Sequence, residues 1–285
     1  MSTKNSEIKP IEYSCNGKIV TFNTPLLMAI VNVTPDSFYD GGKFDTPSDV
    51  LHDVEEKIKQ GAHIIDLGAA STRPNAPVIS ETEEWARLKE VLPQIRKNFP
   101  NTLLSIDTYR ASIAEKSADA GIDIINDIGG GTLDTAMYST VAKLQLPYIL
   151  MHIQGTPQTM QNNPIYLNVV SEVKNDLQGK IDELASLNFH KIILDPGFGF
   201  GKSLENNYEL LKHLDTFQES GYPLLVGVSR KGMINKVIGT NAVTALNGTT
   251  VLNTIALLNG AHILRVHDVK EAKQAIDLVQ FYKGV

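Results

Sequence analysis

Short apolar runs, most of them ending on a polar side chain and then followed by a loop and a stretch of helical periodicity, repeat along most of this chain. The run Leu26 to Val31 shows no polar alternation, the pattern of a parallel strand covered on both faces, and it stops on Asn32. The next stretch, with Pro35, Asp36, Phe38, Asp40 and paired glycines, predicts a long loop. Thr46 with Pro47 behind it predicts an N-cap and first helical position, with Val50, Val54 and Ile58 on the buried face and Gly61 at the end.

The unit recurs. His63 to Asp66 reads as a second strand, with a loop from Leu67 to Pro77. Ser80 and Glu83 have capping-box spacing, and the stripe Trp85, Leu88, Leu92, Ile95 predicts one helix running to about Asn98. Leu103 to Asp107 is the third strand, with a helix from about Arg110 to Ala120 stopped by Gly121. Ile122 to Asn126 is the fourth, before Asp127 and the glycines Gly129 to Gly131, and Leu146 to Met151 is the fifth. A helix from about Tyr166 to Leu187 would bury Val170, Val173, Leu177, Ile181 and Leu184. Ile192 to Asp195, Leu224 to Gly227 and His262 to Arg265 complete the strands. An apolar helix from about Thr244 to Asn259 precedes the last strand, and a final helix capped by Asp268 with Glu271 comes after it.

About eight strand–helix units close a parallel barrel, so the predicted fold is α/β, a TIM (β/α)8 barrel. A doubly wound sheet is the rival, but it needs a reversal of strand order that nothing in the pattern marks. Residues 1–25 stand outside the repeat: Ile11 to Tyr13 and Lys18 to Phe22 flank the turn dipeptide Asn16-Gly17, predicting a small N-terminal β-hairpin that plugs one end. Residues 1–285 therefore read as a single barrel domain with a hairpin cap.

Composition narrows the function. A hydrophobic content of 42%, a charged content of 20% and a net charge of -6 describe an ordinary globular chain and give no basic surface for nucleic acid. No apolar run reaches the length of a membrane span, and Met1 to Pro10 lacks the apolar core of a signal peptide. Cys15 has no partner for an internal disulfide, which suits a reducing, cytoplasmic setting.

In a barrel the C-terminal strand ends converge, so Asn32, Asp66, Asp107, Asn126, Asp195, Lys231 and Arg265 would share one mouth. Acids and amides there suit a flat, nitrogen-rich heterocycle: Asp195 would accept from an aminopyrimidine edge while Asn126 offers both polarities. The alternative is that these groups cap helices or pair with one another. Arg265-Val-His267 precedes a helix N-terminus, a setting that favours an anion, unless Arg265 pairs with a barrel carboxylate instead. Lys231 and Arg230 add positive charge and point to an anionic substrate. The run Gly197 to Ser203 is not a P-loop, because three residues rather than four separate its first glycine from Gly201-Lys202. Its glycines would instead let backbone approach a flat ligand, with Phe198 or Phe200 in contact. The histidines show no metal-ligand spacing, but magnesium is compatible, bound through Asn32 and substrate phosphate oxygens.

Together, Asn32-Val-Thr-Pro-Asp-Ser-Phe38, Asp66 with Ser71-Thr-Arg-Pro74, Ser105-Ile-Asp107, Ile125-Asn-Asp127, Leu194 to Lys202, Gly227-Val-Ser-Arg-Lys231 and Arg265-Val-His267 resemble the dihydropteroate synthases, in that family's order and over nearly the whole chain. The resemblance implies an enzyme joining 6-hydroxymethyl-7,8-dihydropterin pyrophosphate to 4-aminobenzoate with loss of pyrophosphate, and a homodimer in which the helix around Val251 to Leu258 would supply interface. It implies that Asp107, Asn126, Met151, Asp195 and Lys231 hold the pterin. Asn32 with Mg2+, Arg265 and His267 would hold the pyrophosphate. Thr72, Arg73, Pro74, Phe38, Phe200 and Lys231 would shape the aminobenzoate pocket. Asp36, Asp40 and Arg73 would reach the reacting atoms when the first two loops close, and the catalytic set implied is Lys231, Arg265, Asp107, Asp40 and Arg73. Two departures stand out: Gly68-Ala69-Ala70 where many members have Gly-Gly-Glu, and Gly232 where many have serine. A pterin-binding methyltransferase of the same fold, or a catalytically silent pterin-binding paralogue, are the alternatives.

Overall fold

The computed structural model describes residues 11–33, 46–70, 78–160 and 164–285. Two short strands, β1 (Glu12–Cys15) and β2 (Lys18–Thr21), pair antiparallel around Asn16 and Gly17, whose φ angles of 46° and 77° fit the left-handed turn such a hairpin needs. Its feet rest on the start of the barrel. Tyr13 Oη donates to the Ile192 carbonyl at 2.7 Å, Asn16 Nδ2 to the Ile122 carbonyl at 2.7 Å, and Lys18 Nζ meets the buried Asp123 carboxylate at 2.9 Å.

Eight parallel strands form the barrel: β3 (Leu26–Asn32), β4 (Ile64–Gly68), β5 (Leu103–Asp107), β6 (Ile124–Asp127), β7 (Tyr148–Met151), β8 (Ile192–Asp195), β9 (Leu225–Val226) and β10 (Ile263–Val266). Each neighbours the next in sequence, β10 returns to pair with β3, and a bridge between Leu194 and Leu224 joins β8 to the segment entering β9. The order never reverses, which excludes a doubly wound sheet.

Register decides which side chains face inward. Asn32, Gly68, Asp107 and Asn126 are successive partners around the sheet, Asp66 is opposite Ser105, Met151 opposite Asp195, and Arg265 opposite Met28. Because strand side chains alternate between faces, this register puts Asn32, Asp66, Asp107, Asn126, Met151, Asp195 and Arg265 on the inner face together. Asp127 is one residue out of phase and faces the helices, where Tyr148 Oη and the amides of Gly129 and Gly131 each donate to its carboxylate at 2.7 Å.

The helical layer comprises α1 (Pro47–Lys59), α2 (Glu81–Leu88), α3 (Val91–Asn98), α4 (Ala111–Asp119), α5 (Met137–Leu144), α6 (Val169–Ser186), α7 (Leu204–Lys212), α8 (Gly232–Ile238), α9 (Leu246–Leu258) and α10 (Val269–Gly284). The Thr46 cap forms as expected, with a reciprocal capping box to Asp49. Three expectations are corrected. The helix predicted from Ser80 to Asn98 is two, broken at Lys89 and Glu90, because Pro93 offers no N–H and its ring would meet the Lys89 carbonyl one turn back. On α6 Val169 is buried beside Val173, four residues on along the same face, and Val170 is only half-buried. Asp268 precedes α10 without a side-chain cap bond, its carboxylate being taken by Arg230. Among the described residues no helix is long and apolar enough to cross a membrane.

Candidate active site

Arg265 reaches inward from β10 between two acids: Nε donates to Asp66 Oδ2 at 2.7 Å and Nη2 to Asp107 Oδ2 at 2.6 Å. Asn126 Nδ2 donates to that same Asp66 oxygen at 3.1 Å. The pairing alternative for Arg265 is thus realised, with two carboxylates rather than one. Burial pushes the Asp107 carboxyl upward and Arg265 pulls it back, while for Arg265 burial disfavours the charge but Asp66 and Asp107 outweigh it and raise its pKa. The second oxygens, Asp66 Oδ1 and Asp107 Oδ1, are buried without a hydrogen-bond partner, as is Ser105 Oγ on the same face. Buried acceptors left open in this way are suited to a ligand's N–H groups.

Asp195 closes the opposite side. Its Oδ1 accepts from the Gly197 amide at 2.8 Å, and burial pushes its carboxyl up against the pull of Lys231. Lys231 Nζ donates to the Phe198 carbonyl at 2.5 Å and lies 4.8 Å from the centre of the Phe200 ring. Burial lowers its ammonium to about 8, with Asp195 opposing. Of the two phenylalanines, Phe198 is buried in the main core and Phe200 is the one at the mouth. Phe200 packs with Met151, Ile128, Ile153, Met160 and Tyr109 in a small apolar cluster apart from that core.

Asn32 ends β3 with its Oδ1 near Gly68, which has Asp107 on its other side; a Cβ at Gly68 would stand 3.8 Å from Asn32 Oδ1 and 3.7 Å from Asp107 Oδ2. His267 shares a hydrogen bond of 3.0 Å between its Nδ1 and Ser229 Oγ. Arg230 differs from the expectation: it binds Asp268 through Nε and Nη2 at 2.7 and 2.6 Å and donates to the carbonyls of Ala242 and Val243, tying the loop before α8 to the α8–α9 connection and to the start of α10. Phe38, Asp40, Thr72, Arg73 and Pro74, with Asp36, lie outside the described residues. Ser105, Lys202 and Ser229 stand inside the sequence motifs but carry no role there, and sequence reasoning gave no site reading to the buried His152 and Asn207.

A barrel whose rim gathers two amides, three acids, a lysine and an arginine around open acceptors defines a heterocycle-binding enzyme. The family model described as pterin binding enzyme matches residues 28–267. The dihydropteroate synthase of Haemophilus influenzae is 42% identical over 267 residues, spanning 93% of this chain and 96% of that protein. Among solved structures, the Yersinia pestis dihydropteroate synthase with a sulfonamide drug complex superposes with a TM-score of 0.92 at 37% identity, over 96% of this chain and 100% of the other. The Xanthomonas albilineans dihydropteroate synthase with 4-aminobenzoic acid gives a TM-score of 0.89 at 34% identity, over 96% and 98%. The chain belongs to the pterin-binding enzymes and, within them, to the dihydropteroate synthase family.

Proposed function

We propose that this chain condenses 6-hydroxymethyl-7,8-dihydropterin pyrophosphate with 4-aminobenzoate, releasing pyrophosphate and forming 7,8-dihydropteroate. The observation that carries the reading is Arg265 held between Asp66 and Asp107 at a mouth shared with Asn126, Asp195 and Lys231.

Asp107, Asn126 and Asp195 bind the pterin, with the open Asp107 Oδ1 among the oxygens that accept its ring and amino N–H groups, and Met151 lies against its face. Arg265 and His267 take the pyrophosphate, Lys231 serves both ring and leaving group, and Phe200 with Lys231 borders the aminobenzoate. Thr72, Arg73, Pro74, Phe38 and Asp40 complete that pocket from the first two loops. Departure of pyrophosphate leaves positive charge that the pterin ring delocalises, so the weakly nucleophilic arylamine needs only to be held in place and no strong base is required. Buried acids beneath the ring balance that charge, and the cations stabilise the departing anion. Preorganised electrostatics of this kind is commonly the largest catalytic contribution, with one contact worth on the order of 3 kcal/mol.

Magnesium fits the oxygen chemistry of the β3 and β5 ends. Among the described residues no cluster of three His, Cys, Asp or Glu side chains at the mouth could chelate it alone, the only such group being His52, Glu55 and Glu56 on α1. Asn32 would hold it together with substrate phosphate oxygens, as magnesium prefers, and when bound it supplies charge neutralisation of the leaving group.

Exposed Ile255 and Leu258 on α9 with Leu278 and Phe281 on α10 supply the apolar face of a homodimer. The buried free thiol of Cys15 suits the cytoplasm, and sulfonamides would compete for the aminobenzoate pocket. Incubating the purified chain with the pterin pyrophosphate, 4-aminobenzoate and magnesium tests the reading. Release of pyrophosphate with formation of dihydropteroate is expected, and the absence of both would sink it.

A further inference from the structure

The glycine-rich run after β8 ends on Lys202-Ser203, a pair that in a P-loop would face phosphate. Both are used otherwise. Ser203 caps α7, its Oγ accepting from the Asn206 amide at 3.1 Å. Lys202 is 4% exposed and buried under its own loop. Its Nζ donates to the carbonyls of Gly197 at 2.9 Å, Phe200 at 3.0 Å and His152 at 3.4 Å, and lies 2.9 Å from His152 Nδ1.

Asn207, on α7 and also buried, ties the loop from the other side. Its Oδ1 accepts from the Gly199 amide at 2.6 Å, and its Nδ2 donates to the carbonyls of Ser203 at 2.6 Å and Lys202 at 3.3 Å. The loop curls because Gly197, Gly199 and Gly201 all have positive φ, at 73°, 83° and 63°, and that curl turns carbonyl oxygens toward one point. Converging carbonyl dipoles repel unless a cation stands among them, and the ammonium meets that need. The cost is visible: burial lowers Lys202 to about 7, with Asp195 opposing.

The opposite side of the curl faces Lys231. The Phe198 carbonyl that accepts from Lys231, and the Phe200 ring beside the same ammonium, belong to a segment whose two ends, the Gly197 and Phe200 carbonyls, are held by Lys202. We propose that Lys202 is a positioning residue for the aminobenzoate half of the site: by gathering those carbonyls it sets where the Phe198 carbonyl and the Phe200 ring stand against Lys231. This rests on the synthase reading above. Most of the pterin floor, Arg265, Asp66, Asp107 and Asn126, is held apart from this loop, which touches the rest only through the Gly197 amide on Asp195 and the Phe198 carbonyl on Lys231.

The test is steady-state kinetics on the full chain with both substrates, together with calorimetric titration of the pterin pyrophosphate. Lys202→Met should raise the KM for 4-aminobenzoate about tenfold while leaving the Kd for pterin pyrophosphate within about twofold, with partial rescue in Lys202→Arg. Asn207→Ala should show the same split more weakly, and it decides the matter if Lys202→Met does not fold. A folded variant with unchanged aminobenzoate KM would overturn the proposal, as would losses of equal size for both substrates. A wild-type chain releasing no pyrophosphate would instead overturn the synthase reading, and this assignment with it.

Discussion

Arg265 and Asp66, 199 residues apart in sequence, meet at 2.7 Å inside the barrel, and the acid oxygen that receives the guanidinium also receives Asn126. One oxygen therefore aligns a cation proposed for the pyrophosphate with an amide proposed for the pterin. Removing the cation should be costly to stability. Arg265→Leu leaves two buried carboxylates without their partner, a loss of about 3–5 kcal/mol in stability. Arg265→Leu combined with Asp66→Leu should recover part of it, and a urea-unfolding double-mutant cycle measures the coupling. Strict additivity would show that the pair is not coupled.

Lys231 yields two pH dependences of opposite sign. As a bound-anion partner it must be protonated, so kcat/KM for the pterin pyrophosphate should fall as pH rises through about 8. Its folded pKa lies below the ordinary 10.5, so between about 8 and 10.5 the unfolded chain holds more protons than the folded one, and its contribution to stability rises with pH there. Lys231→Arg, always charged, should keep a flat rate profile through that window; a wild-type fall persisting in the arginine variant would assign the ionisation elsewhere.

Gly197 is a position where one methyl group matters. Its φ is 73°, and a Cβ built there would stand 1.9 Å from the His152 carbonyl oxygen. Backbone cannot yield as a flexible side chain does, so Gly197→Ala should cost at least ~2 kcal/mol in chemical denaturation. Gly221→Ala, also at positive φ but with nothing within 4 Å of the added carbon, separates conformational strain from collision. Equal costs at the two sites would remove the collision argument.

The apolar face of α9 and α10 predicts the oligomer. Leu278 and Phe281 are 72% and 75% exposed, beyond what isolated surface residues explain when Ile255 and Leu258 lie on the neighbouring helix. Leu278→Glu with Phe281→Glu should convert a dimer to monomer in sedimentation equilibrium while changing the stability of the isolated protomer by no more than ~1 kcal/mol. A wild-type chain that sediments as a monomer would dismiss the interface.

Strand positions were legible because apolar runs covered on both faces leave little ambiguity: Leu103 to Asp107 and Ile192 to Asp195 are strands over those same residues. Helix caps such as Thr46 and Ser80 were legible for the same local reason. The short helices α5, α7 and α8, of eight, nine and seven residues, carried too few turns to announce a period. Arg230 was misread for a different cause, since its partner Asp268 is remote in sequence and nothing near either residue marks the pair.

Local patterning by itself determined the alternation of strand and helix, the polar residues at or near most strand ends and hence most of the candidate site. The fold alone decided how those residues are employed: that Asp66 serves Arg265 and Asn126 through one oxygen, that Asp127 turns to the helices while Asn126 turns inward, and that Lys202 supports its own loop. The physical reason is that side-chain direction is set by register and closure, which only distant strands meeting one another can fix.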